Sequence, residues 1–143
     1  TASTVTRLVD MGMESYLIGD ALVGVIAQRL VRRLCPECKR LVYATEDEKR
    51  LLGVTTPGDL PIYEPVGCEA CGNTGYHGRI GVYEIMPVTN DLRIKIAAGA
   101  RADVIKEQAV SEGMSTLNVS AGKLCVQGVT SFKEALKIAY ESE

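Results

Sequence analysis

Two Cys-x-x-Cys pairs carry the clearest chemistry in this sequence: Cys35-Pro36-Glu37-Cys38 and Cys68-Glu69-Ala70-Cys71, with residues 39–67 between them. A two-residue spacer lets both sulfurs of a tight turn face one point, and two such turns supply four thiolates. That donor set suits a structural zinc ion, which is tetrahedral, sulfur-rich and leaves no open position for a substrate. Gly67, Gly72 and Gly75 stand where knuckle turns need positive φ. Two disulfides, a redox pair or four unrelated thiols would use the same residues. Nothing in the sequence marks an oxidising compartment, and the duplicated spacing favours metal. A thiol oxidoreductase would need a low-pKa cysteine beside a cation or a helix start. Arg33 and Lys39 flank the first pair, so that alternative stays open at this level.

Other candidates are weaker. Cys125 shares a helical face with Leu117, Ala121 and Leu124 and reads as a small buried hydrophobe. His77, the only histidine, reads as an exposed residue of a Gly-rich turn. Glu84 lies among apolar neighbours and reads equally as a satisfied buried carboxylate or as a functional one. The only Gly-Lys pair, Gly122-Lys123, is followed by Leu124 inside a helical pattern and is no phosphate loop. No Gly-x-Ser-x-Gly elbow occurs, and one histidine gives little to a His-based nucleophile system.

The elements that must position the cysteines follow from periodicity. Residues 3–12 predict a helix with Ser3 as cap, Val5, Leu8 and Val9 as its stripe and Gly12 as its stop. A short helix is expected over 14–21. Residues 22–34, rich in Val and Ile, lean to strand, and residues 79–86 form a second strand ended by Pro87. The knuckles then lie between two strands able to pair antiparallel, and residues 41–66 form a small lobe closed by the metal, an extended hairpin insertion. Glu46–Arg50 reads as a solvated helical turn. Helices marked by Leu92 and Ile96, by Val104, Ile105 and Ala109, and by Met114, Leu117, Ala121 and Leu124 come next. A last helix starts at a Ser131/Glu134 capping box and is expected to bury Phe132, Ala135, Leu136 and Ala139.

The 143 residues carry 16 basic and 18 acidic side chains, a net charge of −2, and 46% hydrophobic residues. That supports a soluble core and argues against nucleic-acid binding by clustered positive charge. The longest apolar stretch, Ala21 to Ala27, is far too short for a membrane span. The chain opens at Thr1 without methionine, which fits a piece of a longer chain. By residue chemistry alone it is a zinc-stapled α/β module, and a stand-alone zinc ribbon that binds protein or nucleic acid is the alternative.

The order of motifs adds a resemblance. Arg7-Leu8-Val9-Asp10-Met11-Gly12, the run from Leu22 to Cys38, Gly67 to Cys71, Gly75 to Met86, Gly113-Met114-Ser115-Thr116-Leu117 and Gly128-Val129-Thr130-Ser131 resemble the secretion ATPase superfamily. The likeness is to its assembly branch, the motors of type IV pili and type II secretion. That branch carries the tetracysteine insertion, whereas retraction ATPases join the two strands by a short turn. The resemblance implies the C-terminal portion of a RecA-like P-loop ATPase domain with a zinc-binding hairpin insertion and a C-terminal helical bundle. Residues 1–34 would end the core, 35–78 form the zinc lobe, 79–88 return a core strand and 89–143 form a helical subdomain. It further implies a homo-hexamer at the cytoplasmic face of the inner membrane, acting on a membrane platform protein, with ATP and Mg in the whole protein. Thr1-Ala2-Ser3 resembles the stretch just after the family's histidine box, so the nucleotide motifs would precede this chain and it would not be catalytic alone. Cys35, Cys38, Cys68 and Cys71 carry over as zinc ligands. Gln28, Arg29 and Arg79 match motif positions, and either support of the nucleotide site or ordinary structural bonding fits them.

Overall fold

The computed structural model describes residues 1–141, so the last two residues of the expected 89–143 subdomain lie outside it. Among the described residues are seven α-helices and four strands: α1 Ala2–Asp10, α2 Ser15–Ala21, β1 Gly24–Leu34, β2 Arg40–Tyr43, α3 Glu46–Leu51, β3 Pro61–Glu64, β4 Tyr76–Pro87, α4 Asn90–Ala97, α5 Ala102–Ser111, α6 Leu117–Val126 and α7 Phe132–Glu141. The fold is mixed α and β. β1 pairs with β4, and β2 with β3. Backbone bonds at the two ends of the first pair, Val88 N–H to Val23 O and Cys35 N–H to Gly75 O, make it antiparallel. Both cysteine knuckles lie in the chain between these strands.

The chain forms two compact units: Thr1–Ala27 with Tyr83–Thr116, and Gln28–Val82 with the residues from Leu117 onward. In the first, Val5, Ile18, Met86, Leu92, Ile96 and Ile105 are each no more than 3% exposed and form the core. Helices α2 and α4 pack where residue 19 is glycine: a Cβ there would stand 3.1 Å from both Ala97 Cβ and Arg93 O. Ser3 does not cap α1. The helix begins one residue earlier with Thr1 as N-cap and without a side-chain cap bond, because the Thr1 hydroxyl donates to Glu84 Oε2 at 2.6 Å. Met114 does not begin α6; it packs against this core, and the helix starts at Leu117.

In the second unit, β2 and β3 pair antiparallel, Arg40 opposite Glu64 and Val42 opposite the buried Ile62. Arg40 and Glu64 also form an ion pair across the hairpin. The helix α3 joins them. Thr45 Oγ1 caps it by accepting from Glu48 N–H, with acidic residues in the first turn and basic ones in the last, as the helix dipole prefers. The charge run is solvated except at Lys49, which is buried and donates to Gly58 O at 2.7 Å, pinning the following loop.

Helices α6 and α7 pack on each other. Cys125 and Ala121 are fully buried, which is the face expected for the fifth cysteine, and Leu124 is half-buried. On α7 the buried residues are Glu134, Ala135 and Ile138. Phe132, Leu136 and Ala139 are only half-buried, because with Leu51, Leu52 and Gly122 they line an open cleft. Among the described residues no helix is long and apolar enough to cross a membrane.

Candidate metal centre

Each knuckle is a local turn made by its own backbone. In the first, Lys39 N–H donates to Cys35 O at 3.0 Å; in the second, a 3-10 turn over Glu69–Cys71, Asn73 N–H donates to Cys68 O at 2.8 Å. Gly67, Gly72 and Gly75 all have positive φ, and Asn73 (φ 61) joins them. At Gly75 glycine is required twice over: φ is +83, and a Cβ would lie 2.5 Å from Pro65 Cβ.

The fold brings all four sulfurs to one point. The four Sγ atoms lie within 4.8 Å of one another, with Cys35–Cys68 at 3.8 Å, Cys38–Cys71 at 3.9 Å and Cys68–Cys71 at 3.7 Å. A disulfide would need about 2.05 Å, so none is formed. A tetrahedron with zinc–sulfur bonds of about 2.3 Å has sulfur–sulfur edges of about 3.8 Å, which is the spacing observed. The donor set therefore fits a tetrahedral thiolate-bound ion.

Backbone amides support the sulfurs. Gly67 N–H points to Cys38 Sγ (3.3 Å), and Cys68 and Gly75 N–H to Cys71 Sγ (3.3 and 3.2 Å). Burial opposes ionisation of Cys71, but these amides and the neighbouring thiols outweigh it and bring the thiol down to about 6. Its neighbour moves the other way. A hydrogen bond from Cys71 N–H lowers Cys68, yet burial and the bonds to Cys71, Cys35 and Cys38 prevail and push it up to about 11. Thiolate ligands carry negative charge, and a divalent cation would supply the opposing charge here.

The remaining sequence candidates stay outside this cluster. Cys125 is buried, and burial pushes its thiol up to about 11, as for an inert core residue. His77 is exposed, on β4 and not in a turn, because the strand extends back to Tyr76. Glu84 is buried on β4 and accepts from Thr1 Oγ1 at 2.6 Å. Gln28 and Arg29 are exposed on β1, and Arg29 Nη1 donates to Gln28 O at 2.8 Å. Arg79 is exposed on β4.

What sequence reading missed is a polar network beside the knuckles. Arg32 clasps Glu134 and stacks over the Tyr76 ring at 4.0 Å, while Tyr76 Oη and Ser131 Oγ lie 2.7 Å apart. Ser131 Oγ accepts from Glu134 N–H, half of the expected capping box; the other half is absent because the Glu134 carboxylate turns to Arg32. Tyr76, one residue past the knuckle glycine, was the available signal.

With this geometry established, similarity to known proteins decides the family. A family model described as type II/IV secretion system protein matches residues 1–137. The chain belongs to the type II/IV secretion system protein family. Within that family it is 38% identical over 140 residues to the type IV pilus assembly ATPase TfpB of Acinetobacter baylyi, covering 95% of this chain and 24% of that protein. It is 41% identical to the type IV pilus assembly ATPase PilB of Thermus thermophilus, covering 94% and 15%. It is 36% identical to the type II secretion system ATPase E of Vibrio cholerae, covering 96% and 27%. The chain thus spans about a quarter or less of the length of these family members.

Proposed function

We propose that this chain is the C-terminal segment of a hexameric ATPase motor that powers type IV pilus assembly or type II secretion. The observation that carries this is the family match over residues 1–137, with pilus assembly and secretion ATPases among the relatives. On this reading the chain completes a RecA-like ATPase domain whose ATP- and Mg-binding motifs lie upstream. Its β1 and the returning β4 close that core and the 35–78 region is the zinc lobe, while the helices after residue 89 divide between the two units, α4 and α5 with the first and α6 and α7 with the second. The motor works at the cytoplasmic face of the inner membrane on a platform protein. Deletion of this segment from the intact motor gene is the direct test. Loss of both ATP turnover and filament assembly or secretion is expected; retention of both would defeat the reading.

The metal is zinc, held by Cys35, Cys38, Cys68 and Cys71. Support comes from the sulfur–sulfur spacing near that of a zinc tetrathiolate and from the amides directed at the sulfurs. Closed four-sulfur sites are structural, and such an ion contributes folding free energy to a lobe with little core of its own. Elemental analysis of the purified protein should find one zinc per chain. A folded, metal-free protein would exclude it.

A further inference from the structure

Residues flanking the cysteine set converge on one short stretch, residues 128–131, the turn between α6 and α7. Lys39, next to Cys38, donates from Nζ to Gly128 O at 3.0 Å and lies over the Tyr63 ring at 4.4 Å. Leu34, just before Cys35, donates its N–H to Val129 O at 2.9 Å. Thr130 Oγ1 donates to Arg32 O at 2.7 Å, and Tyr76 Oη meets Ser131 Oγ. Tyr76 follows Gly75, whose N–H is directed at Cys71 Sγ and whose carbonyl accepts from Cys35 N–H.

The turn is built to be gripped. Thr130 is 0% and Ser131 2% exposed. The carbonyl that Lys39 caps lies just past the end of α6, where backbone acceptors lack helical partners and a cation is favoured. Gly128 has φ +77, and a Cβ there would stand 2.9 Å from the Tyr63 ring. The network meets the ligands' sulfurs through Gly75, and Leu34, Lys39 and Tyr76 each adjoin a knuckle residue.

We propose that metal loading at the four cysteines and seating of the α6–α7 turn are one coupled equilibrium. The bound ion fixes the knuckles, the knuckles aim Lys39, Leu34, Arg32 and Tyr76, and these hold the turn that starts α7. The inference rests on the zinc reading above. Coupling is reciprocal, so a weakened turn must also bind metal less tightly.

The test uses the intact protein with its zinc content measured first. Hydrogen exchange is then compared between the zinc-loaded form and the form stripped with a chelator. Peptides over residues 124–141 should lose protection on stripping while those over α1 and α5 keep theirs. Unchanged protection at 124–141, or equal loss everywhere, overturns the coupling. Lys39→Met and Thr130→Val, which leave the ligands in place, should each weaken zinc affinity, read at equilibrium against a chromophoric chelator, about fivefold or more. Wild-type affinity in both variants also overturns it. A protein that never holds zinc defeats the zinc reading itself; zinc held without coupling defeats only this inference.

Discussion

Arg32 meets Glu134 through three donors at once: its backbone N–H reaches Oε2 at 3.0 Å, and Nε and Nη2 reach Oε1 at 3.2 and 2.9 Å. Lys137 Nζ adds a fourth at 3.0 Å from the next turn of α7. The carboxylate is nearly buried, with 6% of its side chain exposed, while the Arg32 side chain is 44% exposed. The pair ties the strand leading into the first knuckle to the first turn of α7.

Replacing Glu134 with Gln keeps the shape and removes the charge. Hydrogen bonds to charged groups contribute about 1.5–3 kcal/mol, so a loss of that order is expected in denaturant unfolding. An unchanged midpoint would show that solvent screening at Arg32 cancels the pair.

The same carboxyl gives a pH signature. Burial raises its pKa, but the Arg32 side chain and backbone and Lys137 outweigh this and hold it at about 2, against an ordinary 4.5. A depressed carboxyl stabilises the fold fully above its unfolded pKa and less as pH falls toward its folded one. Thermal stability should therefore drop between pH 4.5 and 2, and the Glu134→Gln variant should lack that part of the slope.

Gly75→Ala should damage the metal centre without touching a ligand. The new methyl would meet Pro65 at 2.5 Å in a left-handed backbone and displace the N–H directed at Cys71 Sγ. Left-handed strain costs about 1–2 kcal/mol and overpacking about 1–3 kcal/mol. Faster zinc loss and a lower melting temperature are expected; wild-type zinc retention would contradict this.

Two helical glycines should respond with opposite signs. At Gly122 a Cβ would make ordinary contacts with Leu52 at 3.7 Å, so Gly122→Ala should stabilise by about 0.5–1 kcal/mol through helix propensity alone. At Gly19 the same change meets Ala97 and Arg93 at 3.1 Å in the α2–α4 packing, and overpacking of about 1–3 kcal/mol should outweigh the propensity gain. Equal shifts in the two melting curves would refute the packing argument.

Thiol titration should separate the cysteines four to one. Stripping the metal should open the half-buried Cys38, Cys68 and Cys71 to alkylation, and Cys35, 1% exposed with the knuckles closed, as they loosen; Cys125, fully buried with its thiol at about 11, stays unreactive until the chain unfolds. Mass spectrometry of the modified peptides reads this directly.

The sequence by itself determined the knuckles and the strands on either side of them. Those depend on local spacing: a two-residue loop between cysteines, a β-rich run and a glycine at each sharp turn act within a few residues. It also held the family likeness, because ordered motifs survive without knowing the fold. Tertiary structure alone decided where polar side chains go. Ser131 and Glu134 have capping-box spacing, yet Arg32, 102 positions away, takes the carboxylate because a buried charge binds best to a guanidinium fork. Lys49 belongs to a charge run that reads as solvated, yet it is buried and donates to Gly58 O in the loop that folds back after α3. Phe132 and Leu136 look like core by period, but Leu51 and Leu52 leave an open cleft above them. Such outcomes depend on partners brought close by the chain's long-range path, which no local window contains.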